Sequence, residues 1–430
     1  MFWQYKVNKS RKKTKFALIN RTVYLEPKPK LLYMSLLSEK LAQFTLPQEL
    51  KEKGIYPYFR PISSEQDCEV IINGRKVLMY GSNSYLGLTN HPKVKEAAIE
   101  AVKKYGTGCA GSRFLNGSLD IHEELEARLA KFVGKDEAII FSTGFQVNLG
   151  VVSCLTGRED YLLIDERDHA SIIEGRRLSM SNILKFRHND MEHLEKMLRR
   201  CRPSKLKLIV VDGVFSMEGD LAPLKRMVEL AKKYKASIMV DEAHGIGVFG
   251  PNGQGLCYAE GVTDDIDLIM ATFSKSFASL GGFIACNHDI ANFIRHNARS
   301  YIFSASATPA AIGAANAALD IMLSEPERIQ HLWDLTHYAI NGFREMGCEI
   351  GNTSTPIIPL FIRDNEKTFK ITQELLAEEP VGLFVNPVVA PAVPPQDTLI
   401  RFSLMATHTK EHVDYALEKI EKVFKKHQVI

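Results

Sequence analysis

The stretch Ser237-Ile-Met-Val-Asp241-Glu-Ala-His244-Gly245 joins a short apolar run to a turn that carries acids and a histidine. The run does not alternate between apolar and polar residues, which is typical of a strand buried on both faces. Strands of this kind that alternate with helices predict a largely parallel, doubly wound sheet in an α/β fold. Comparable runs, separated by helical patterns, occur at residues 161–165, 183–186, 208–212, 268–272 and 283–286.

The pattern of elements divides the chain of 430 residues into four predicted parts. The first part is a basic extension that we expect to be disordered, and an N-terminal arm follows it. The third part holds the alternating strands and helices of the large α/β domain, and the last is a smaller C-terminal α+β domain. These parts cover residues 1–33, 34–91, 92–310 and 311–430.

Further elements are predicted around the large sheet. An amphipathic helix is expected over residues 35–53, and a hairpin over 70–80 turns at Asn73-Gly74, a dipeptide that favours a two-residue turn. The proline-rich segment 387–395 is expected to be a loop within the C-terminal domain. The remaining predictions are helices over 92–105, 120–133 and 309–323 and a strand over 138–141.

Composition excludes several classes of protein. With 45% hydrophobic and 24% charged residues, the chain is typical of a globular protein and not of a disordered one. No uncharged apolar run approaches the roughly 18–20 residues that a membrane-spanning helix requires. Seven scattered cysteines without a Cys-x-x-Cys pair indicate a reducing compartment and no metal site, so we expect a cytoplasmic location.

The first 30 residues are basic, with nine Lys or Arg against one acid, although the formal net charge of the whole chain is only +3. The rest of the chain is therefore acidic overall, which argues against nucleic-acid binding. Three interpretations of the basic segment stay open. It binds anionic lipid, it is a disordered tail, or it precedes a true start at Met34.

One glycine-rich stretch has the spelling of a dinucleotide-binding motif but not its context. Gly106-Thr-Gly108-Cys-Ala-Gly111 follows a predicted helix instead of a strand, and the acid expected about 20 residues later is replaced by Lys131. These glycines more simply form a tight loop where the backbone lies close to a ligand or another subunit. No nucleotide site is therefore predicted here.

The acid that ends the strand 237–241 is the first candidate for chemistry. Asp241 stands at the carboxyl end of a predicted parallel strand, which is the edge where ligands bind in open α/β sheets. A carboxylate in that position is partly desolvated and requires a cationic partner. Taken alone, the pattern also fits a helix-capping Asp241 followed by a surface histidine at position 244.

A lysine on the next strand loop is the second candidate. Lys275 lies among hydroxyls and small residues in Thr272-Phe-Ser-Lys-Ser-Phe, and residues 269–284 carry no other charge. Such surroundings favour a sheltered amine, whose lowered pKa suits Schiff-base chemistry. The alternative is a solvated lysine on a loop.

Pyridoxal 5′-phosphate (PLP) requires a Schiff-base lysine, an acid beside its ring nitrogen and a phosphate site. Thr272 and Ser274 provide hydroxyls for the phosphate. Residues 142–148 follow a strand and open a helix, whose N-terminal amides favour the same group. His169 follows the next strand at the same edge, where an imidazole can stack on the pyridine ring. These elements together predict a PLP enzyme.

From residue 36 to its end, the chain resembles the α-oxoamine synthase family, within the fold-type-I PLP-dependent transferases. The ordered set of matching segments is very specific. The resemblance implies a large, mostly parallel PLP-binding domain and a smaller C-terminal domain. The segments that carry it are residues 83–88, 106–117, 168–171, 240–245, 272–282 and 399–403.

The family implies a role for each matching residue. Lys275 would form the Schiff base with PLP and Asp241 would pair with the ring N–H, while His169 would stack over the ring. His244 would hydrogen-bond the ring oxygen. The phosphate would be held by Gly144, Phe145, Thr272 and Ser274, with Ser304 from the partner subunit. The substrate would be bound by Arg401, which grips its carboxylate, and by Asn83 and Tyr85.

Family members differ in the amino acid and the acyl thioester that they join. The Lys275 loop and Phe303-Ser-Ala-Ser306 resemble the members that join L-serine to a long-chain acyl thioester. Their decarboxylative Claisen condensation gives 3-ketosphinganine, the first step of sphingolipid synthesis. Members that use alanine or glycine usually carry Leu-Gly-Lys-Ala at the lysine and are the alternative. One departure is that residues 386–389 lack the extra arginine that some serine-using members carry.

The resemblance also predicts the partners. It implies a homodimer with active sites at the subunit interface. Peripheral contact with the inner face of a membrane is a further expectation, because the acyl chain and the product are lipids. Three other functions are weaker alternatives: an aminotransferase, a non-catalytic partner subunit and a membrane-surface binding protein. The presence of Lys275, Asp241, His169 and His244 argues against the non-catalytic subunit.

Overall fold

The computed structural model describes residues 35–390 and 392–430, so the predictions for residues 1–33 and Met34 lie outside the described residues. The chain separates into two units, Met1–Gly54 and Ile55–Ile430. In the first, two short helices are described, α1 (Leu36–Leu41) and α2 (Leu46–Glu52). The single helix predicted over 35–53 is therefore wrong. Pro47 has no amide hydrogen and is best accommodated in the first turn of a new helix, where α2 places it.

The second unit opens with a hairpin and two helices. Strands β1 (Glu69–Ile72) and β2 (Arg75–Met79) pair antiparallel. Asn73-Gly74 turns between them with φ angles of 51° and 74°, as the sequence predicts for a two-residue turn. Helices α3 (Pro92–Tyr105) and α4 (Asp120–Val133) follow with the predicted bounds.

Seven strands form the large sheet of the described residues: β3 (Glu137–Phe141), β4 (Tyr161–Asp165), β5 (Asn182–Phe186), β6 (Lys207–Asp212), β7 (Ser237–Asp241), β8 (Leu268–Thr272) and β9 (Gly282–Cys286). Their order is β3-β9-β8-β7-β6-β4-β5. The neighbours from β8 to β5 pair in parallel, and β9 is antiparallel to both β8 and β3. The predicted largely parallel sheet is confirmed.

The helices between these strands cover both faces of the sheet, so alternate residues of a strand enter different apolar cores. Val211 and Val240 belong to one core, whereas Val210 and Met239 belong to the other. This two-sided burial is the physical reason for the unbroken apolar runs in the sequence. The helices are α5 (Gly144–Leu155), α6 (Ala170–Leu178), α7 (Met191–Leu198), α8 (Leu224–Tyr234), α9 (Leu256–Ala259), α10 (His288–Asn297) and α11 (Arg299–Ile302).

The C-terminal elements are α12 (Pro309–Ser324), α13 (Glu327–Glu345), β10 (Ile357–Phe361), α14 (Asn365–Ala377), β11 (Gly382–Phe384), β12 (Asn386–Val388), β13 (Leu399–Ser403) and α15 (Lys410–Lys426). Strands β10, β13 and β12 form an antiparallel sheet. β11 instead adds in parallel to β2 of the N-terminal hairpin. The domain boundaries at residues 34, 92 and 311 stay a prediction.

The predicted loop over residues 387–395 is wrong at its start, because Pro387 lies within β12. β12 is an edge strand, where a proline without an amide hydrogen breaks no sheet hydrogen bond. No helix among the described residues is both long enough and apolar enough to cross a bilayer.

Candidate active site

The parallel strands bring polar residues together at one edge of the large sheet. β6 and β7 end in Asp212 and Asp241, which are paired neighbours in the sheet register. β4 ends in Asp165 and β8 ends in Thr272. A cavity of about 240 Å³ opens at this edge. Ten of the residues that line it are Gly144, Phe145, His169, Ser171, Asp212, Asp241, His244, Thr272, Ser274 and Lys275.

Lys275 lines the cavity and is partly accessible from it. Burial of its amine lowers the pKa to about 8, although the charges of Asp241 and Asp212 oppose that decrease. The amine forms no hydrogen bond with any residue in the described part of the chain. These surroundings argue against a solvated loop lysine and provide an amine that is partly neutral near physiological pH.

Asp241 is buried, with its two carboxylate oxygens held by different donors. One oxygen accepts the Ala243 backbone N–H at 2.9 Å, and the other accepts the Asn148 side-chain amide at 2.7 Å. Residues 242–255 contain no helix, and His244 is buried. The alternative of a capping aspartate followed by a surface histidine is therefore wrong.

His244 lies at the end of a hydrogen-bonded chain. The Arg401 guanidinium donates from Nη2 to the Tyr85 hydroxyl at 3.3 Å, and from Nε to the Ser216 carbonyl at 2.7 Å. Since Tyr85 accepts from Arg401, its own proton is available for His244 Nδ1, which lies 2.6 Å away. Burial, together with the positive charges of Lys275 and Arg401, lowers the pKa of His244 well below its ordinary value. A neutral ring with its proton on Nε2 is consistent with all these contacts.

The N-terminus of α5 forms a cradle beside Thr272. Thr143 caps α5 by accepting the Gln146 backbone N–H, and Gly144 begins the helix. A Cβ atom at Gly144 would lie 2.7 Å from the Thr272 Cβ atom, so only glycine fits without displacement. The Thr272 and Ser274 hydroxyls are 2.9 Å apart on the facing loop. Helix amides and paired hydroxyls of this kind suit a phosphate.

A second cavity of about 580 Å³ adjoins the first and shares Lys275, His169 and His244 with it. Arg401 and Asn83 line this second cavity. The Asn83 side-chain oxygen is buried without a hydrogen-bond partner in the described part of the chain. The structure thus brings the predicted residues Arg401 and Asn83 to Lys275, whereas Tyr85 lies behind His244.

Ser304 is the one predicted phosphate residue outside the first cavity. Its hydroxyl accepts the Gln146 side-chain amide of its own chain at 3.0 Å, just beyond the start of α5. Its contribution from a partner subunit stays a prediction.

Sequence reasoning missed three residues of this edge. Asp212 accepts the His169 backbone N–H at 2.6 Å, and its position at the end of a predicted strand was a usable signal. Asn148 and Ser171 link Asp241 to His169 through side-chain hydrogen bonds. No local sequence pattern distinguishes these two, because only the packing of α5 against α6 brings them together.

The residues present fit PLP. The edge offers an amine whose pKa is lowered to about 8, a buried carboxylate beside it and a glycine-dependent cradle at a helix N-terminus. The cofactor needs one group of each kind, for its aldehyde, its ring nitrogen and its phosphate.

Comparison with known proteins agrees with this chemistry. The model of the family "Aminotransferase class I and II" matches residues 75–420. A serine palmitoyltransferase of Bacteroides thetaiotaomicron is 61% identical over 91% of this chain and 99% of its own length. An 8-amino-7-oxononanoate synthase of Thermosipho melanesiensis is 41% identical over 89% of this chain and 97% of its own.

Among solved structures, one described as SPT with PLP internal aldimine superposes with a TM-score of 0.88 at 36% identity. The match covers 92% of this chain and 100% of that one. The fold and the chemistry of the edge therefore agree with a PLP-dependent transferase. The chain belongs to the aminotransferase class I and II family, within its α-oxoamine synthase group.

Proposed function

We propose that this chain joins L-serine to a long-chain acyl thioester and releases CO₂ and the free thiol, which gives 3-ketosphinganine. The observation that carries the proposal is the placement of Lys275, Asp241 and Arg401 around adjoining cavities. The 61% identity to a serine palmitoyltransferase selects the reaction within the family. In this proposal residues 92–310 form the PLP-binding domain, between the arm 34–91 and the small domain 311–430.

The residues of the first cavity would hold PLP. Lys275 would bind its aldehyde, Asp241 its ring N–H and His244 its ring oxygen, while His169 would stack over the ring. When bound, PLP supplies an electron sink that stabilises negative charge at the substrate Cα. The phosphate would be held by Gly144, Phe145, Thr272 and Ser274, together with Ser304.

Lys275 is the residue that we assign to proton transfer at the substrate Cα. With a pKa near 8, its amine can accept a proton and return it at physiological pH. Asp241 supports this role by remaining buried beside the amine, with two donors on its carboxylate.

Arg401 would bind the substrate carboxylate until it leaves as CO₂. Its Nε is committed to the Ser216 carbonyl, and one Nη2 contact reaches Tyr85. These bonds fix the plane of the guanidinium, whose remaining N–H groups can donate to two carboxylate oxygens. Asn83, whose side-chain oxygen has no hydrogen-bond partner among the described residues, would bind the amino acid in the same cavity.

The second cavity suits the acyl chain. Its walls carry apolar side chains beside the polar groups of Lys275 and Arg401. An apolar wall next to the reacting groups allows a long acyl thioester to reach the substrate Cα without water. The apolar residues are Phe59, Met217, Phe384, Val388 and Val389.

The test is turnover of L-serine with palmitoyl-coenzyme A, followed by mass spectrometry of the lipid product. The proposal expects 3-ketosphinganine from serine and no corresponding product from alanine or glycine. A product from alanine or glycine alone would instead place the chain with its relatives of the 8-amino-7-oxononanoate synthase kind, which are less similar at 41% identity.

We also propose a homodimer whose partner subunit supplies Ser304 to each site. Two apolar side chains near this region are strongly exposed, Leu115 at 77% and Phe303 at 75%, as expected for surfaces covered by a second copy. Mixing Lys275→Ala with Ser304→Ala subunits tests the arrangement. If Ser304 acts across the interface, the mixed dimer contains one intact site and regains activity. If Ser304 serves its own subunit, mixing restores nothing.

A contact with anionic lipid extends the proposal. Helices α1 and α2 and the turn between them expose Leu36, Leu37, Leu41, Phe44 and Leu46. The basic segment precedes them in the sequence, and both features favour a negatively charged lipid surface. Deleting residues 1–33 should weaken binding to phosphatidylglycerol vesicles while turnover with a dispersed substrate stays unchanged. Unaltered vesicle binding would contradict this contact.

A further inference from the structure

Asn148 lies on the buried side of α5 and is fully inaccessible to solvent. Its amide nitrogen donates to the Asp241 carboxylate at 2.7 Å and to the Ser171 hydroxyl at 2.8 Å. The amide cannot be turned around, because its oxygen would then face the carboxylate oxygen of Asp241. Both amide hydrogens are therefore used, one on each neighbour.

Because both amide hydrogens of Asn148 are used, the directions of the hydrogen bonds made by Ser171 and His169 follow. The Ser171 hydroxyl accepts from Asn148, so its single proton is available for His169 Nδ1 at 2.7 Å. The Ser171 backbone N–H also points to Nδ1, at 3.3 Å. A nitrogen that faces two donors must carry a lone pair, so the His169 proton belongs on Nε2.

The other side of the imidazole faces the cavities. His169 is exposed and lines both of them, together with Lys275 in each cavity and Arg401 in the second. Nε2 has no hydrogen-bond partner among residues 35–390 and 392–430. An N–H at Nε2 therefore remains available to a molecule that occupies the shared space.

We propose that Asn148 and Ser171 are positioning residues that connect the Asp241 carboxylate to the His169 imidazole and keep the imidazole proton on Nε2. The inference rests on the proposed function, which it deepens by naming the two residues that set the tautomer of the His169 imidazole. The chain Asp241–Asn148–Ser171–His169 spans three elements, β7, α5 and α6, and ties the acid of the cofactor site to the stacking ring.

The charged groups around His169 agree with a neutral ring. Partial burial lowers the pKa of His169, the nearby charge of Asp241 raises it, and Lys275 lowers it. Asp212 is engaged by the His169 backbone N–H, not by the ring. Donation from Ser171 to Nδ1 stabilises the neutral ring further, because protonation of Nδ1 would break that bond.

The test is ¹⁵N NMR of the full chain with labelled histidine, without PLP, where His169→Gln identifies the signal. The wild type should show the proton on Nε2. In Ser171→Ala the His169 signal should become a mixture of the two tautomers, and the pKa of the ring should rise by about one pH unit. The matched control is Ser153→Ala on α5. Among the described residues the Ser153 hydroxyl bonds only to backbone carbonyls, so this variant should leave the signal unchanged.

Two results would overturn the inference. The first is a wild-type His169 signal with the proton on Nδ1, and the second is a His169 signal in Ser171→Ala that is identical to the signal in Ser153→Ala. With PLP bound, Ser171→Ala should lower kcat about tenfold and shift its pH profile, with little change in PLP affinity. The NMR measurement needs neither cofactor nor substrate. It therefore tests the tautomer of His169 separately from the proposed reaction with serine. The tautomer can be as proposed even if serine is not the substrate, and the reverse also holds.

Discussion

Two clusters of charged residues at the carboxyl edge of the large sheet differ in how completely the protein pairs them. In one, the protonated His188 ring donates from both nitrogens to carboxylates, with Nδ1 3.1 Å from Asp165 and Nε2 2.9 Å from Asp220. In the other, the Lys275 amine has charged neighbours but no hydrogen-bond partner within the described chain.

The pKa values record this difference. Burial alone would lower the pKa of His188, but its hydrogen bonds to Asp165 and Asp220 raise it to about 9. For Lys275 burial prevails, and the pKa falls to about 8. A charged group whose bonds are all made within the protein stabilises the fold, whereas an amine held without such bonds is available for chemistry.

The largest effect should come from Lys275→Ala. We expect turnover to fall by at least about a thousandfold and the visible band of the protein with PLP to disappear, because the described residues that line the cavity include no other amine. Lys207→Met is the matched control, since Lys207 is a buried lysine whose amine bonds to two backbone carbonyls at the opposite end of β6. Its band should persist. An intact band in Lys275→Ala would contradict the role of this lysine.

Asp241→Asn should have the next largest effect. The ring nitrogen of PLP would lose its anionic partner, so kcat should fall about a hundredfold in steady-state assays. Asp220→Asn changes an acid of the His188 cluster in the same way and should reduce stability with activity within a few-fold of the wild type. Equal losses of activity in the two variants would remove the distinction between the clusters.

His188→Asn should act on stability. The folded-state pKa of His188 is about 9, above the ordinary 6.5, so its stabilising effect is complete below pH 6.5 and is lost as the pH rises through 9. The shift corresponds to about 3 kcal/mol in the free energy of unfolding. Urea unfolding at pH 6 should therefore show a deficit of that size in the variant, and the deficit should shrink at pH 9.5. If the loss in the free energy of unfolding were the same at both pH values, the ion pairs of His188 with Asp165 and Asp220 would not be its cause.

Gly144→Ala should have the smallest effect of the four. The added Cβ would press on Thr272 and displace the cradle without removing a charged group. Overpacking of this kind costs roughly 1–3 kcal/mol, and we expect PLP to bind about tenfold more weakly in equilibrium titrations. Gly74→Ala, in the hairpin turn with open space around it, is the control and should leave PLP affinity unchanged.

The sequence predicts much of the fold because the large sheet is buried on both faces. Each of its strands therefore leaves a continuous apolar run, and the strand ends indicate where Asp241 and Thr272 meet. The break between α1 and α2 and the short strand β12 escaped prediction. A proline lies in each of these places. Pro47 lies in the first turn of α2, where the sequence predicted a single helix, and Pro387 lies within β12, where it predicted a loop.

Within the candidate site, the residues that carry chemistry were easier to predict than the residues that position them. Lys275 and Asp241 stand out because charge is rare in apolar surroundings. Asn148 and Ser171 do not, since buried amides and hydroxyls also occur in ordinary helices, and their partners come from other elements. The contribution of Ser304 to a partner subunit's site stays a prediction, because its hydroxyl contacts Gln146 of its own chain.

The most direct test of the central claim is an absorption titration of the purified protein with PLP bound. L-serine should change the visible band saturably, while L-alanine and glycine at the same concentrations should leave it unchanged. This result would establish a serine-binding PLP site around Lys275. A band that responds to alanine or glycine and not to serine would contradict the assigned substrate. The absence of any band after addition of PLP would contradict the account as a whole.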